Sequence, residues 1–414
     1  MNPSLRQLIL SEPFRVLFPM GMLIAILSVS LWPLHSWGWV TVYPSLMHAR
    51  TLMLGFVGGA VIGFFCTAYP RLIGVKGLSA PQFIIVMLLW LGSQIAYFAN
   101  AIAWGDGISL ALWTLIPVSA ALNLRRRTDC PPPGFILVAA GLLSLWCALA
   151  LRVIAWNMGE AWSGAYVTSR VLMYEAFPTL LILGVAPFFF PKIMGGPAPH
   201  SFPESRTLPV GWVRPARWAI AAVLVSLLGY LLKASHEFWG SLIAAIAVIA
   251  YAVKEIPLWV REPECHGAMA WGLTLGMISL LLGSMAPLLS PALRLGLYHL
   301  LAVGGVSLIL FIVSIRVTCG HGGVVHQTAG WHLWIVAIGM LLPVAAVLRI
   351  SADLWTQLRE ANLFFAAVAL ILSVGIWLVK MGPLLWQAET VSQGTPTETE
   401  APNTSELPND SPHT

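Results

Sequence analysis

The chain has 414 residues, of which 58% are hydrophobic and only 9% charged, and its mean hydropathy is +0.81. Soluble domains carry about 25% charged residues, so this composition excludes a soluble globular protein and calls for an integral membrane protein. The net charge of +5 is read as loop anchoring on anionic lipid, with no nucleic-acid partner.

A spanning helix needs roughly 20 mostly apolar residues. Runs of that kind fall near 16–32, 46–69, 82–104, 108–124, 134–154 and 165–186, then 215–233, 237–253, 267–289, 294–316, 331–350 and 361–380. The expected fold is therefore an all-α membrane protein of about 12 transmembrane helices. The first run follows Arg6 and Arg15 and is too long for a signal core, with no small-residue cleavage site after it, so it is expected to stay. "WGDG" at 104–107 reads as the turn between the third and fourth helices.

Lys and Arg collect in alternate loops, at positions such as Arg71, Arg125, Arg214 and Lys254. The positive-inside rule then places both termini in the cytoplasm. Residues 1–388 form the polytopic membrane domain. The tail 389–414 is acidic, has almost no apolar residues and is expected to be disordered. The cysteines fall in helices or near cytoplasmic loops, so no disulfide is expected.

Three helices leave the membrane with related segments: "YPRLIG" (69–74), "FPKIMG" (190–195) and, more loosely, "IRVTCG" (315–320). Their last glycines, Gly74, Gly195 and Gly320, are 121 and 125 residues apart. The spacing suggests three parallel units of four helices, although aromatic-Pro-basic is also a common helix exit.

Ionisable residues inside these runs are candidates for function. In the second helix Gly55, Gly59 and Gly63 form a close-packing stripe. At 100° per residue His48 lies within about 20° of Gly55 and Gly59, so it should face the bundle. Arg50 points the other way and is expected to snorkel to the surface. The tenth helix carries His299 near its outer end. In the sixth, Tyr166, Arg170 and Tyr174 form an i, i+4, i+8 stripe with Glu175 deeper. Two imidazoles at one depth suit a haem iron or copper, and an arginine suits haem propionates. The other reading is that the histidines bond neighbouring helices and the arginine snorkels. On the cytoplasmic side "CGHGGVVHQTAGWH" gathers Cys319, His321, His326 and His332, with Cys265 and His266 on the same face. This could hold a metal, but it matches no regular zinc pattern, and a glycine-rich turn with incidental histidines reads equally. His35 lies in a Trp-rich interfacial segment. His236 and Glu237 read as a helix cap.

At these residues the sequence resembles the NnrS family, bacterial multi-pass membrane proteins associated with the nitric oxide response and described as containing haem and copper. "MHARTLMLGFVGGAVIGFFCTAYPRLIG" (47–74) is similar to the family's W-H-x-H-E-x-x-x-G-F run ending near T-A-x-P. "YEAFPTLLILGVAPFFFPKIMG" looks like its segment with an I-P-F-F exit. "LYHLLAVGGVSLILFIVSIRVTCGHGG" (297–323) looks like its H-x-L-x-V-G-x-x-G run ending L-G-H-T-G. Arg50 and Thr51 stand where the usual pattern has a second His and a Glu.

The resemblance implies His48 and His299 as haem or copper ligands, His321 as a further metal ligand, and Arg170 and Tyr174 beside the cofactor. It implies the bacterial inner membrane as the location and nitric oxide or iron-nitrosyl species as partners. It leaves open turnover, binding or metal handling. Transport of a small solute or protons through Arg170 and Glu175 remains the other reading, and a purely structural membrane subunit the third.

Overall fold

A computed structural model describes residues 5–159, 163–194, 206–256, 267–290 and 292–387. The described residues form helices and short turns, with no strand among them. Eleven helices are long and apolar enough to cross a membrane. They are α1 (Phe14–Ser36), α2 (Ser45–Leu72), α3 (Ala80–Phe98), α4 (Ile102–Arg125), α5 (Phe135–Met158), α6 (Ser163–Met194), α7 (Val213–Leu232), α8 (Glu237–Glu255), α10 (Arg294–His321), α11 (Leu333–Leu354) and α12 (Arg359–Met381). The remaining predicted run forms α9 (Ala268–Ser284), which is apolar but shorter at 17 residues. The chain is an all-α multi-pass membrane protein. The predicted acidic tail lies outside the described residues, as do Gly195, Cys265 and His266.

One predicted boundary is corrected. "WGDG" is not the turn between α3 and α4. The break falls at 99–101, where Asn100 has φ 59, and Asp106 is buried inside the first turns of α4. Gly105 fits there because Tyr97 lies against it, 2.4 Å from where a Cβ would stand.

Consecutive helices pack as neighbours, and α12 packs back on α1. The bundle is therefore a closed ring. The stripe on α2 behaves as expected: a Cβ on Gly63 would lie 2.9 Å from the Phe14 backbone, and one on Gly59 would lie 2.8 Å from Trp90. These two positions let α1 and α3 approach closely.

The three longest helices, α2, α6 and α10, are spaced four apart in the order. Each is interrupted by a π-helical segment: Thr51–Val57, Leu172–Ala176 and Leu300–Ser307. Among the described residues no other helix carries one. That regularity is what three four-helix units would give. In α6 the cause is legible: Pro178 has no N–H, so the carbonyl of Tyr174 four residues before it loses its α-helical donor. Tyr298 replaces that donor from α10, at 2.8 Å.

At the end of the bundle where α1 begins and α12 ends, a charged cluster joins distant segments. Glu12 accepts from Arg15 (2.5 Å), Arg71 (2.7 Å) and His321 Nδ1 (2.7 Å). Arg15 is 1% exposed and also donates to the carbonyls of His321 (3.1 Å), Leu385 (2.7 Å) and Gln387 (2.9 Å).

Candidate functional site

The π segments change which side chains face the interior. In a straight α-helix Arg50 would lie 180° from Gly59. A π turn accommodates an additional residue in the same number of turns, so that angle closes to about 80°. His48 moves by the same amount to about 80° on the other side. Both residues now flank the packed face. Arg50 does not snorkel: it is 1% exposed and held by Asp106. This corrects the expectation from regular periodicity.

The Arg50 network is fully inside the bundle. Arg50 Nε donates to Asp106 Oδ1 at 2.8 Å, Arg152 Nε to Oδ2 at 3.2 Å and Tyr97 Oη to Oδ1 at 3.0 Å. Asp106 has no exposed surface, and Arg50 and Arg152 have 1% and 2%. Arg50 also donates through Nη1 to Tyr174 Oη on α6. The one carboxylate accepts from both guanidiniums and a phenol, and losing it would leave two buried cations without their partner. The sequence carried one signal for it: Asp106 is the sole acidic residue between Glu12 and Asp129.

The three interrupted helices meet at a cavity of about 740 Å³, at the end of the bundle away from the Glu12 cluster. Cofactor-sized pockets run roughly 300–1,000 Å³. His48, Arg170, Tyr174 and His299, placed together by the sequence reading, all line it. Glu175 lines it too, paired with Lys233 of the α7 terminus. Arg349 lines the same cavity as His48 and His299.

Each histidine is oriented by a carbonyl. His48 Nδ1 lies 3.2 Å from the Ser28 carbonyl of α1, and His299 Nδ1 lies 2.8 Å from the Leu295 carbonyl one turn earlier. A carbonyl only accepts, so Nδ1 carries the proton in both rings. Nε2 is left with its lone pair in the neutral imidazole. Neither Nε2 has a hydrogen-bond partner among the described residues. This is the tautomer and orientation that metal-ligating histidines adopt. Thr51, where the usual pattern has Glu, donates to the Met47 carbonyl at 2.7 Å with its Oγ1 also 2.8 Å from Ser28 Oγ, bracing the turn that bears His48.

His321 lies elsewhere. It ends α10, 22 residues beyond His299, or about 33 Å at 1.5 Å per residue. Nδ1 bonds Glu12, and Arg71 Nη1 stands 3.1 Å from Nε2. Its near neighbours do not converge on it: Cys319 contacts Met381 Sδ, and His332 Nε2 bonds the Ala329 carbonyl. Among the described residues no group of three or more His, Cys, Asp or Glu side chains is arranged to hold a metal ion.

Comparison with known proteins gives one family. A family model described as "NnrS protein" matches residues 8–388. No curated protein matches the chain.

Proposed function

Because this chain belongs to the NnrS family, we propose that it binds haem in the 740 Å³ cavity between His48 and His299 and acts in the response to nitric oxide. The observation that carries this reading is the pair of imidazoles, on separate helices, each with Nδ1–H tied to a carbonyl and Nε2 left to the cavity. The residues present fit the group: two neutral nitrogen donors, apolar lining such as Phe56 and Val306, and basic side chains for its carboxylates. When bound, haem supplies an iron centre that takes nitric oxide.

The chain's own residues set the conditions. Ser28 and Leu295 fix the imidazole tautomers. Arg50 cannot stand in for the second histidine of the usual α2 pattern, because Asp106 and Tyr174 hold its guanidinium. Tyr298 ties α10 to α6 through the Tyr174 carbonyl and so fixes the spacing of the walls. Arg170 and Tyr174 border the same space and would meet the polar edge of the group. A copper ion suits the same two nitrogens, and metal analysis distinguishes it from haem iron. The setting is a bacterial inner membrane with both termini cytoplasmic.

The test is an optical spectrum of the detergent-purified protein, oxidised and reduced, with metal analysis. A Soret band is expected in the wild type, with its loss in His48→Ala and His299→Ala and a shift on titration with nitric oxide. No chromophore and no metal from haem-replete cells would overturn the reading. The transport alternative, through Arg170 and Glu175, would then lead.

A further inference from the structure

The walls of the cavity carry more positive charge than their carboxylates neutralise. Arg294 pairs with Glu237, Arg349 with Asp353 and Lys233 with Glu175. Asp106 is shared by Arg50 and Arg152, so one of those two guanidiniums is uncompensated. Arg170 and Arg359 also line the cavity, and neither has an ion-pair partner among the described residues.

One donor in this set is conspicuous by its position. Arg152 lines the cavity yet is only 2% exposed, and its Nη1 is buried with no hydrogen-bond partner. Leaving such a charged donor unpaired is costly. Nε of the same side chain is spent on Asp106, and the Tyr166 ring lies against the guanidinium at 4.3 Å. Tyr166 precedes Arg170 by one turn on the same face of α6. The unpaired Nη1 and the unpaired Arg170 therefore belong to one wall, built from α5 and α6.

We propose that this wall is a binding site for a planar oxyanion, with Arg152 Nη1 and the Arg170 guanidinium as donors. Guanidiniums match the two-oxygen edge of a carboxylate, nitrite or nitrate by paired hydrogen bonds. The shared chemistry has two sources: a free oxyanion from solution, or a carboxylate of a larger ligand such as a haem propionate. Only the second source rests on the haem reading.

The test uses the full-length, detergent-purified chain in a haem-free preparation. Nitrate and acetate are titrated by calorimetry against a chloride background. Saturable binding is expected, weakened roughly tenfold or more in Arg170→Gln. Among the described residues Arg170 makes no hydrogen bond or ion pair, so this variant should fold as the wild type does. Arg152→Lys keeps a cation beside Asp106 but removes Nη1, and should show the same loss of anion binding.

A second arm compares haem with its dimethyl ester, which lacks the carboxylates. If free anions do not bind but haem binds at least tenfold tighter than the ester, with the difference gone in Arg170→Gln, the occupant is the haem carboxylate. If nitrate and acetate never saturate and haem and ester bind alike, the site does not exist. Binding that is identical in wild type and Arg170→Gln also overturns it. A chain that shows no Soret band when purified from haem-replete cells, yet binds nitrate through Arg170, would end the haem reading and leave this site standing.

Discussion

Two histidines in the cavity wall look alike in composition but reach their orientation differently. His48 is held by a carbonyl from another helix, His299 by one from its own. The first therefore depends on how α1 and α2 pack, and the second only on local helix geometry. Arg50 and Asp106 are opposite in character, since each is useful only while the other is charged beside it. Asp106→Ala leaves two buried guanidiniums without their carboxylate, and should destabilise the protein by about 3–5 kcal/mol. Denaturant unfolding in detergent measures this. A loss below about 1 kcal/mol would mean that water reaches the network. Restoring the usual α2 pattern with Arg50→His should likewise lower stability and add no metal ligand, which metal content in the purified variant checks.

At the scale of the helix, the feature that matters most is the π segment. A 100° periodicity placed His48 on the packed face and sent Arg50 outward, whereas with the π segment both flank that face and both stay inside the bundle. The extra residue between 51 and 57 rotates the upstream turn, and no hydropathy pattern records such a rotation. The helices themselves were legible because length and apolarity decide them. The pairing of residues 50 and 106 was not, because Asp106 lay in what read as a loop and the contact spans 56 positions. The glycine stripe was legible, and its packing can be tested. Gly63→Ala places a Cβ 2.9 Å from the Phe14 backbone, whereas Gly107→Ala meets nothing within 4 Å. The first should cost about 1–3 kcal/mol and the second much less. Equal unfolding midpoints would show that α1 gives way freely.

Over the whole molecule, the ring of helices is fastened at one end and hollow at the other. The fastening is pH-dependent. Burial raises the Glu12 carboxyl, but hydrogen bonds from His321 and Arg71, with the Arg15 charge, outweigh it and hold the group near 2, against an ordinary 4.5. A lowered carboxylate contributes stability that is full above about 4.5 and is lost as pH falls toward 2. Thermal unfolding between pH 5 and pH 2.5 should therefore show a slope that Glu12→Gln flattens. A variant with the wild-type slope would assign the acid sensitivity to another group. His321, whose motif match suggested a metal, acts within this fastening.

The contacts of Arg15 also bear on how the protein is made. Its guanidinium reaches carbonyls at 385 and 387, which leave the ribosome some 370 residues after it does. Until then Arg15 lacks three of its five acceptors, and the flank of the first helix stays open for α12. A nascent or truncated chain therefore carries a mark of incompleteness in its first transmembrane segment.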